Sequence, residues 1–158
     1  MQRVKVSLHE DAMGYEERNA WVYGLVTVGA AGFYLLQVLG GDAAIPLEAR
    51  DYKGAMLYSI GGAIVATILI SILVNIVVGM VTGDTDAKAD LRDRQIGRFG
   101  DYVGQSLVIV GAVGALILVM LDQPGFWVAQ AIYFGFVASG ALSAMARIAS
   151  YRFGFAPW

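Results

Sequence analysis

The chain has 158 residues, of which 58% are hydrophobic and only 15% are charged, and its formal net charge is −2 at pH 7. Soluble domains carry about 25% charged residues, so this composition excludes an ordinary soluble domain. The charge balance provides no basic surface for nucleic acid. Because cysteine is absent, disulfides, thiolate metal sites and cysteine nucleophiles are also excluded.

The apolar residues are concentrated in four windows that contain no Asp, Glu, Lys, Arg or His. In chain order these windows have 23, 30, 20 and 24 residues: Asn19–Gly41, Gly54–Gly83, Tyr102–Leu121 and Gln123–Ala146. A hydrocarbon core of about 30 Å needs roughly 20 apolar residues of helix, so each window can span a bilayer. Four buried helices of a soluble bundle would need polar outer faces, which these windows lack.

The sequence therefore predicts one all-α membrane domain over residues 1–158, with four transmembrane helices near 19–40, 55–81, 99–121 and 125–148. A loop over 82–98 joins the second span to the third. Nine of the eleven Lys and Arg residues lie in the N-terminus, this loop and the C-terminus, which the positive-inside rule assigns to the cytoplasm. We expect two antiparallel hairpins in a bacterial plasma membrane, with both termini cytoplasmic.

Small residues predict where these helices pack, because helices in lipid associate by close backbone approach. The fourth span offers Gly135, Ser139 and Ser143 at steps of four. The third span carries five glycines whose steps of three, four and seven keep them on one helical face: Gly97, Gly100, Gly104, Gly111 and Gly114. We expect this glycine face to pack on another helix, either in the same chain or in a second copy.

The first and third spans also share a sequence pattern. Residues Val26–Leu39 align without gaps on Val108–Leu121, and seven of 14 positions are identical. Both segments would cross the membrane in the same direction, which indicates two hairpins related as a parallel repeat. The alternative is that shared Val, Gly, Ala and Leu content produces the match.

Residues that could carry chemistry are scarce. The only histidine is His9, and no metalloprotease, nucleophile-elbow or phosphate-loop motif is present. The sequence therefore favours a non-enzymatic protein with no metal or cofactor. Three uncharged polar side chains lie within the spans: Asn75, Gln105 and Gln130. Asn75 and Gln105 both lie toward the cytoplasm, so we expect them to hydrogen-bond across helices.

Three charged residues lie at the membrane edges. Asp122 in the short outer turn is expected to cap the fourth helix. Asp101 and Arg147 lie at facing ends of the last hairpin and are expected to pair, although Arg147 could equally extend to lipid headgroups.

The charged segment before the third span, residues 88–101, is predicted to form the start of that helix. Asp90 precedes Arg94 by four residues, which favours a helical ion pair, and Arg98 lies three residues before Asp101. A single stripe contains the charges and part of the glycine face: Asp90, Asp93, Arg94, Gly97, Asp101, Gly104 and Gln105. We interpret the segment as an interaction surface that uses Asp90, Asp93, Arg94, Arg98 and Asp101.

Three short motifs carry a family resemblance: "DLRDRQI", "GDYVGQS" and the turn "GFW". From about Tyr15 onward the chain resembles a family of small uncharacterised four-span membrane proteins common in actinobacteria. That family is expected to have an Asp-Glu-Arg-Asp core, from which Leu91 departs. The resemblance implies a regulatory pairing with a small cytoplasmic helix-turn-helix protein.

Two functional hypotheses follow from these observations. In the first, the chain is a non-enzymatic membrane module whose residues 88–101 bind a cytoplasmic partner or a second copy. In the second, it is a small transporter or channel whose path is lined by Asn75, Gln105 and Gln130. Four short spans enclose little interior, so a homo-oligomer is expected in either case.

Overall fold

The computed structural model describes residues 14–42, 44–82 and 91–154. These residues form four long α-helices and one short 3-10 helix, with no strand among them: α1 (Tyr15–Leu39), the 3-10 helix (Leu47–Ala49), α2 (Tyr52–Thr82), α3 (Leu91–Met120) and α4 (Gly125–Phe153). All four long helices have the length and apolar composition needed to cross a membrane. The predicted all-α class with four spans is therefore confirmed.

The helices extend further than the predicted spans. α1 begins at Tyr15 rather than 19, α3 begins at Leu91 rather than 99, and α4 ends at Phe153 rather than 148. The prediction ended each span close to the first charged residue, whereas Arg, Lys and Glu are good helix formers once they lie outside the hydrocarbon. Residues 91–98 lie within the predicted cytoplasmic loop and are helical, which agrees with the prediction that the charged segment forms the start of the third helix.

The helices are neighbours in the order α2, α1, α4, α3, because the extensive contacts are α1 with α2, α1 with α4, and α3 with α4. Between α1 and α2, Asn19 contacts Asn75 and Ala30 contacts Ser59. Those pairs run in opposite directions along the chain, so the two helices are antiparallel. We call the end where α1 begins and α4 ends the terminal end, and the opposite end the hairpin end.

Glycine allows α3 and α4 to approach until their backbones touch. A Cβ atom built at Gly111 would lie 2.8 Å from the Cα atom of Gly135. One at Gly104 would lie 2.8 Å from the carbonyl oxygen of Ser139, and one at Gly100 would lie 3.0 Å from that of Ser143. The contacts descend α4 as they ascend α3, so these helices are antiparallel and pack within one chain.

Two of the five predicted glycines do not take part in this contact. A Cβ atom at Gly97 or Gly114 would meet no heavy atom within 4 Å. At about 100° per residue, these two positions fall on opposite edges of the helical arc, with Gly100, Gly104 and Gly111 between them. The predicted glycine face is therefore wider than the part of it that contacts α4.

A second set of small residues joins α4 to α1. A Cβ atom at Gly24 would lie 2.9 Å from that of Ala144, and one at Gly140 would lie 2.9 Å from the Tyr23 hydroxyl. Since α4 uses separate faces for α1 and α3, it lies between them and holds the two together.

The packing does not have the symmetry expected of a repeat. A two-fold relation between the hairpins would pair α2 with α3 as closely as α1 with α4, yet α2 and α3 are not among the extensively packed pairs. The aligned glycines also differ, since a Cβ atom at Gly29 would meet nothing within 4 Å while one at Gly111 would meet α4. The helix packing therefore does not support the predicted parallel repeat and favours the alternative of shared composition.

At the hairpin end, the C-terminus of α1 is capped by an arginine side chain, whereas the N-terminus of α4 has no side-chain cap. The Arg50 guanidinium donates to the carbonyl oxygens of Val38 at 2.7 Å and Leu39 at 3.3 Å, which satisfies the C-terminus of α1. The predicted cap at Asp122 is wrong. α4 has Pro124 as its N-cap and no side-chain cap. Asp122 lies two residues before that position, in a left-handed turn conformation with a φ of 51°.

The contact between Gly111 and Gly135 gives a stability prediction. Gly111→Ala should lower the free energy of unfolding by about 1–3 kcal/mol, because the methyl group forces two backbones apart. Gly114→Ala is the matched control, since it adds the same methyl group and the same helix propensity where there is open space. Denaturation in mixed micelles, followed by circular dichroism, measures both. Equal stability of the two variants would contradict the packing described here.

Candidate functional site

The charged start of α3 has an acidic side that is occupied by α4. The Tyr151 hydroxyl donates to the Asp93 carboxylate at 3.0 Å, and Arg147 donates to Asp101. The predicted pairing of Asp101 with Arg147 is thus present. Both carboxylates of the described segment contact their own chain, while Asp90 lies outside the described residues.

The arginines of the same segment point elsewhere. Arg94 and Arg98 are exposed, and among the described residues neither forms an ion pair. Arg98 does not pair with Asp101 because that carboxylate faces Arg147. The predicted single stripe is therefore split: Asp93 lies toward α4 with the glycines, whereas Arg94 lies about 100° around the helix from it. Arg98, which was not part of that stripe, lies on the same side as Arg94.

A further ionic contact at the terminal end joins α1 to α4. The Arg152 Nε atom lies 3.5 Å from the Glu17 carboxylate, and the guanidinium lies 5.7 Å from the ring centre of Trp21. Sequence reasoning assigned no role to Glu17 or Arg152. The sequence shows that these two residues have opposite charges, but it does not show that α1 and α4 are antiparallel neighbours, which is what brings them together.

Asn75 bonds to α1 and not to the predicted Gln105. Its side-chain oxygen accepts from Arg18 at 3.1 Å, and its side-chain nitrogen donates to Asn19 at 3.0 Å. Gln105 is exposed on α3, which is not an extensive neighbour of α2. The predicted Asn75–Gln105 contact is wrong because both helices pack outward from the central pair α1 and α4.

A buried polar cluster lies nearer the hairpin end and connects three helices. The Gln130 amide of α4 donates to the Tyr34 hydroxyl of α1. The Ser59 hydroxyl of α2 donates to the carbonyl oxygen of Ala30 at 2.9 Å and lies 2.7 Å from the Tyr133 hydroxyl. The tyrosine rings also pack together, with their centres 4.6 Å apart. Tyr34, Tyr133, Ser59 and Gln130 are all buried, so the cluster satisfies itself internally.

Only Gln130 of this buried cluster was identified from sequence. Tyr34 and Tyr133 lie within windows that read as uniformly apolar, and tyrosine there is commonly an interfacial residue. The sequence did offer a signal, since a tyrosine that is buried within a span needs a partner for its hydroxyl. The partner itself belongs to another helix and has no fixed spacing in sequence.

The three residues proposed to line a transport path occupy separate environments. Asn75 bonds to α1 at the terminal end, Gln105 is exposed on α3, and Gln130 is buried against Tyr34. No group of three or more His, Cys, Asp or Glu in the described part of the chain could hold a metal ion. The arrangement consists of intramolecular braces plus one exposed arginine face, formed by Arg94 and Arg98.

Comparisons with protein-family models, curated proteins and solved structures gave no match to this chain.

The Tyr34–Gln130 bond can be tested by a double-mutant cycle. Tyr34→Phe and Gln130→Leu should show a coupling energy of about 0.6–1.7 kcal/mol, the range for hydrogen bonds between membrane helices. Unfolding in mixed micelles provides the free energies. The control cycle combines Gln130→Leu with Tyr58→Phe, a tyrosine that is 74% exposed, and should give no coupling. Zero coupling in both cycles would contradict the bond.

Proposed function

We propose that the chain is a non-enzymatic integral membrane module that binds an acidic partner through the arginine face of α3. The observation that carries this proposal is the division of charge at the terminal end. On α4, Tyr151 donates a hydrogen bond to Asp93 and Arg147 forms an ion pair with Asp101. The exposed side of the helix start presents Arg94 and Arg98, and neither forms an ion pair among the described residues.

Rigid support makes this face suitable for recognition. Arg94 and Arg98 lie one turn apart on a continuous helix, about 40° apart around its axis. Two α4 contacts fix the orientation of that helix at Asp93 and Asp101. A guanidinium pair held in this way can form bidentate hydrogen bonds with carboxylates, and less side-chain and backbone ordering is needed on binding.

The partner that fits is a cytoplasmic protein with an acidic surface. The family resemblance makes a small helix-turn-helix regulator the first candidate, and a second copy of the chain is the other. In this proposal the terminal end faces the cytoplasm of a bacterial cell, because most of the Lys and Arg residues lie there. The transporter alternative has less support, since its three polar residues do not come together.

The proposed orientation can be tested with reporter fusions. Green fluorescent protein fused after Trp158 should fluoresce, and alkaline phosphatase at the same position should be inactive, because only the first folds in the cytoplasm. Fusions truncated after Gln123 should show the opposite pattern. Active phosphatase at the C-terminus would contradict the proposed orientation.

Partner binding can be tested by charge reversal. Arg94→Glu with Arg98→Glu should reduce recovery of a chemically crosslinked cytoplasmic partner by at least about tenfold, because each charge-assisted bond contributes roughly 1.5–3 kcal/mol. Arg92→Glu is the matched control, since Arg92 is exposed on the same turn but lies about 160° around the helix from Arg94.

Membrane insertion and thermal stability should be unchanged in all of these variants, because none of the three arginines forms an ion pair among the described residues. Equal recovery with the double variant and with the wild-type chain would overturn the proposal.

A further inference from the structure

A continuous groove runs along the outside of the α3–α4 pair toward the hairpin end. Its deeper part has a volume of about 460 Å³ and is lined by hydrocarbon side chains, which include Val108, Ala112 and Leu116 of α3 with Ile132 and Phe136 of α4. Its outer part has a volume of about 570 Å³ and includes Asp122, Gln123 and Gly125. The two parts share Val119, Val128 and Ile132.

The dimensions of the groove match one leaflet of a bilayer. From Val108 to Val119 the α3 wall is eleven residues long, which is about 16 Å at 1.5 Å per residue. Half of a hydrocarbon core of about 30 Å is about 15 Å. An acyl chain lying in the groove therefore reaches the depth of the bilayer midplane when its headgroup is level with Asp122.

The polar end of the groove carries a single negative charge. The Asp122 side chain forms no hydrogen bond or ion pair among the described residues, and the turn from Leu121 to Gly125 contains no basic residue. The left-handed conformation of Asp122 belongs to the tight turn that presents this carboxylate beside the groove. A protonated primary amine would complement it, whereas an anionic headgroup would be repelled.

We propose that this groove binds a phospholipid with a primary-amine headgroup, with one acyl chain along α3 and α4 and the ammonium group at Asp122. Phosphatidylethanolamine is the lipid class with this chemistry. Its ammonium group can donate charge-assisted hydrogen bonds to the carboxylate. A choline headgroup has no N–H donor, and a glycerol headgroup leaves the lipid with a net negative charge.

Native mass spectrometry of the purified full chain tests the assignment. The chain is mixed with equal amounts of phosphatidylethanolamine, phosphatidylcholine and phosphatidylglycerol that carry identical acyl chains. The ethanolamine adduct should exceed each of the others by about tenfold, as expected for a hydrogen bond to a charged group. Asp122→Asn should bring the three adducts to near parity. Asp51→Asn, at the other turn of the hairpin end, should leave the preference unchanged.

The apolar part is tested separately by filling it. Ala112→Phe should remove the retained lipid, because the ring occupies the groove, while Ala138→Phe on an exposed position of α4 should not. Equal adducts of the three lipids in the wild-type chain, or a preference that survives Asp122→Asn, would overturn the headgroup assignment. A lipid-free dimer that Ala112→Phe dissociates would instead assign the groove to a second copy and overturn the proposal.

Discussion

The contact between the backbones of α3 and α4 at Gly111 and Gly135 is the constraint on which the other features depend. In lipid, apolar side chains gain little by moving from acyl chains to another helix. Helices must therefore approach closely enough for dispersion and backbone contacts to hold them. Gly104 and Gly100 extend this approach along the helices, so α3 is fixed on α4 over most of its length.

This close approach determines which charges remain available. Because the contact continues to the terminal end, Asp93 and Asp101 reach Tyr151 and Arg147 on α4. The arginines of the same helix start cannot reach α4, since they project from another side. The division between an occupied acidic side and an exposed basic side is thus a consequence of where the glycines lie.

α2 is held on α1 mainly by hydrogen bonds, because few of its described side chains are buried. α2 has Ala55 and Ser59 as its buried residues, and its bonds to α1 are made by Ser59 and Asn75. Each of these side chains bonds to more than one group, so few residues fix a long helix. Hydrogen bonds of this kind resist exchange, because the lipid offers no competing partner. α4 and α1 form the centre, and α2 and α3 lie on either side of them.

The sequence by itself determined the fold class of this protein and the number of its membrane-spanning helices. Runs of 20 or more uncharged residues have one structural solution in a bilayer, which is a helix with its own backbone bonds satisfied. The sequence also identified Gly100, Gly104 and Gly111 as packing residues, because the helical period shows which residues of one helix lie on the same face. The predicted Asn75–Gln105 contact is wrong because it depended on the order of the helices, and Gly97 and Gly114 lie outside the α3–α4 contact.

Only the tertiary structure decided which helices are neighbours, and hence which polar residues meet. Tyr34, Ser59, Tyr133 and Gln130 come from three helices and have no common spacing in sequence. The roles of Asp93 and Arg94, one residue apart, diverge because α4 lies on one side of α3 and not on the other. The helical period of the sequence determines the direction in which each side chain points from its own helix axis. Which residue it meets depends on the positions of the other helices, and those positions are set by close packing between the helices.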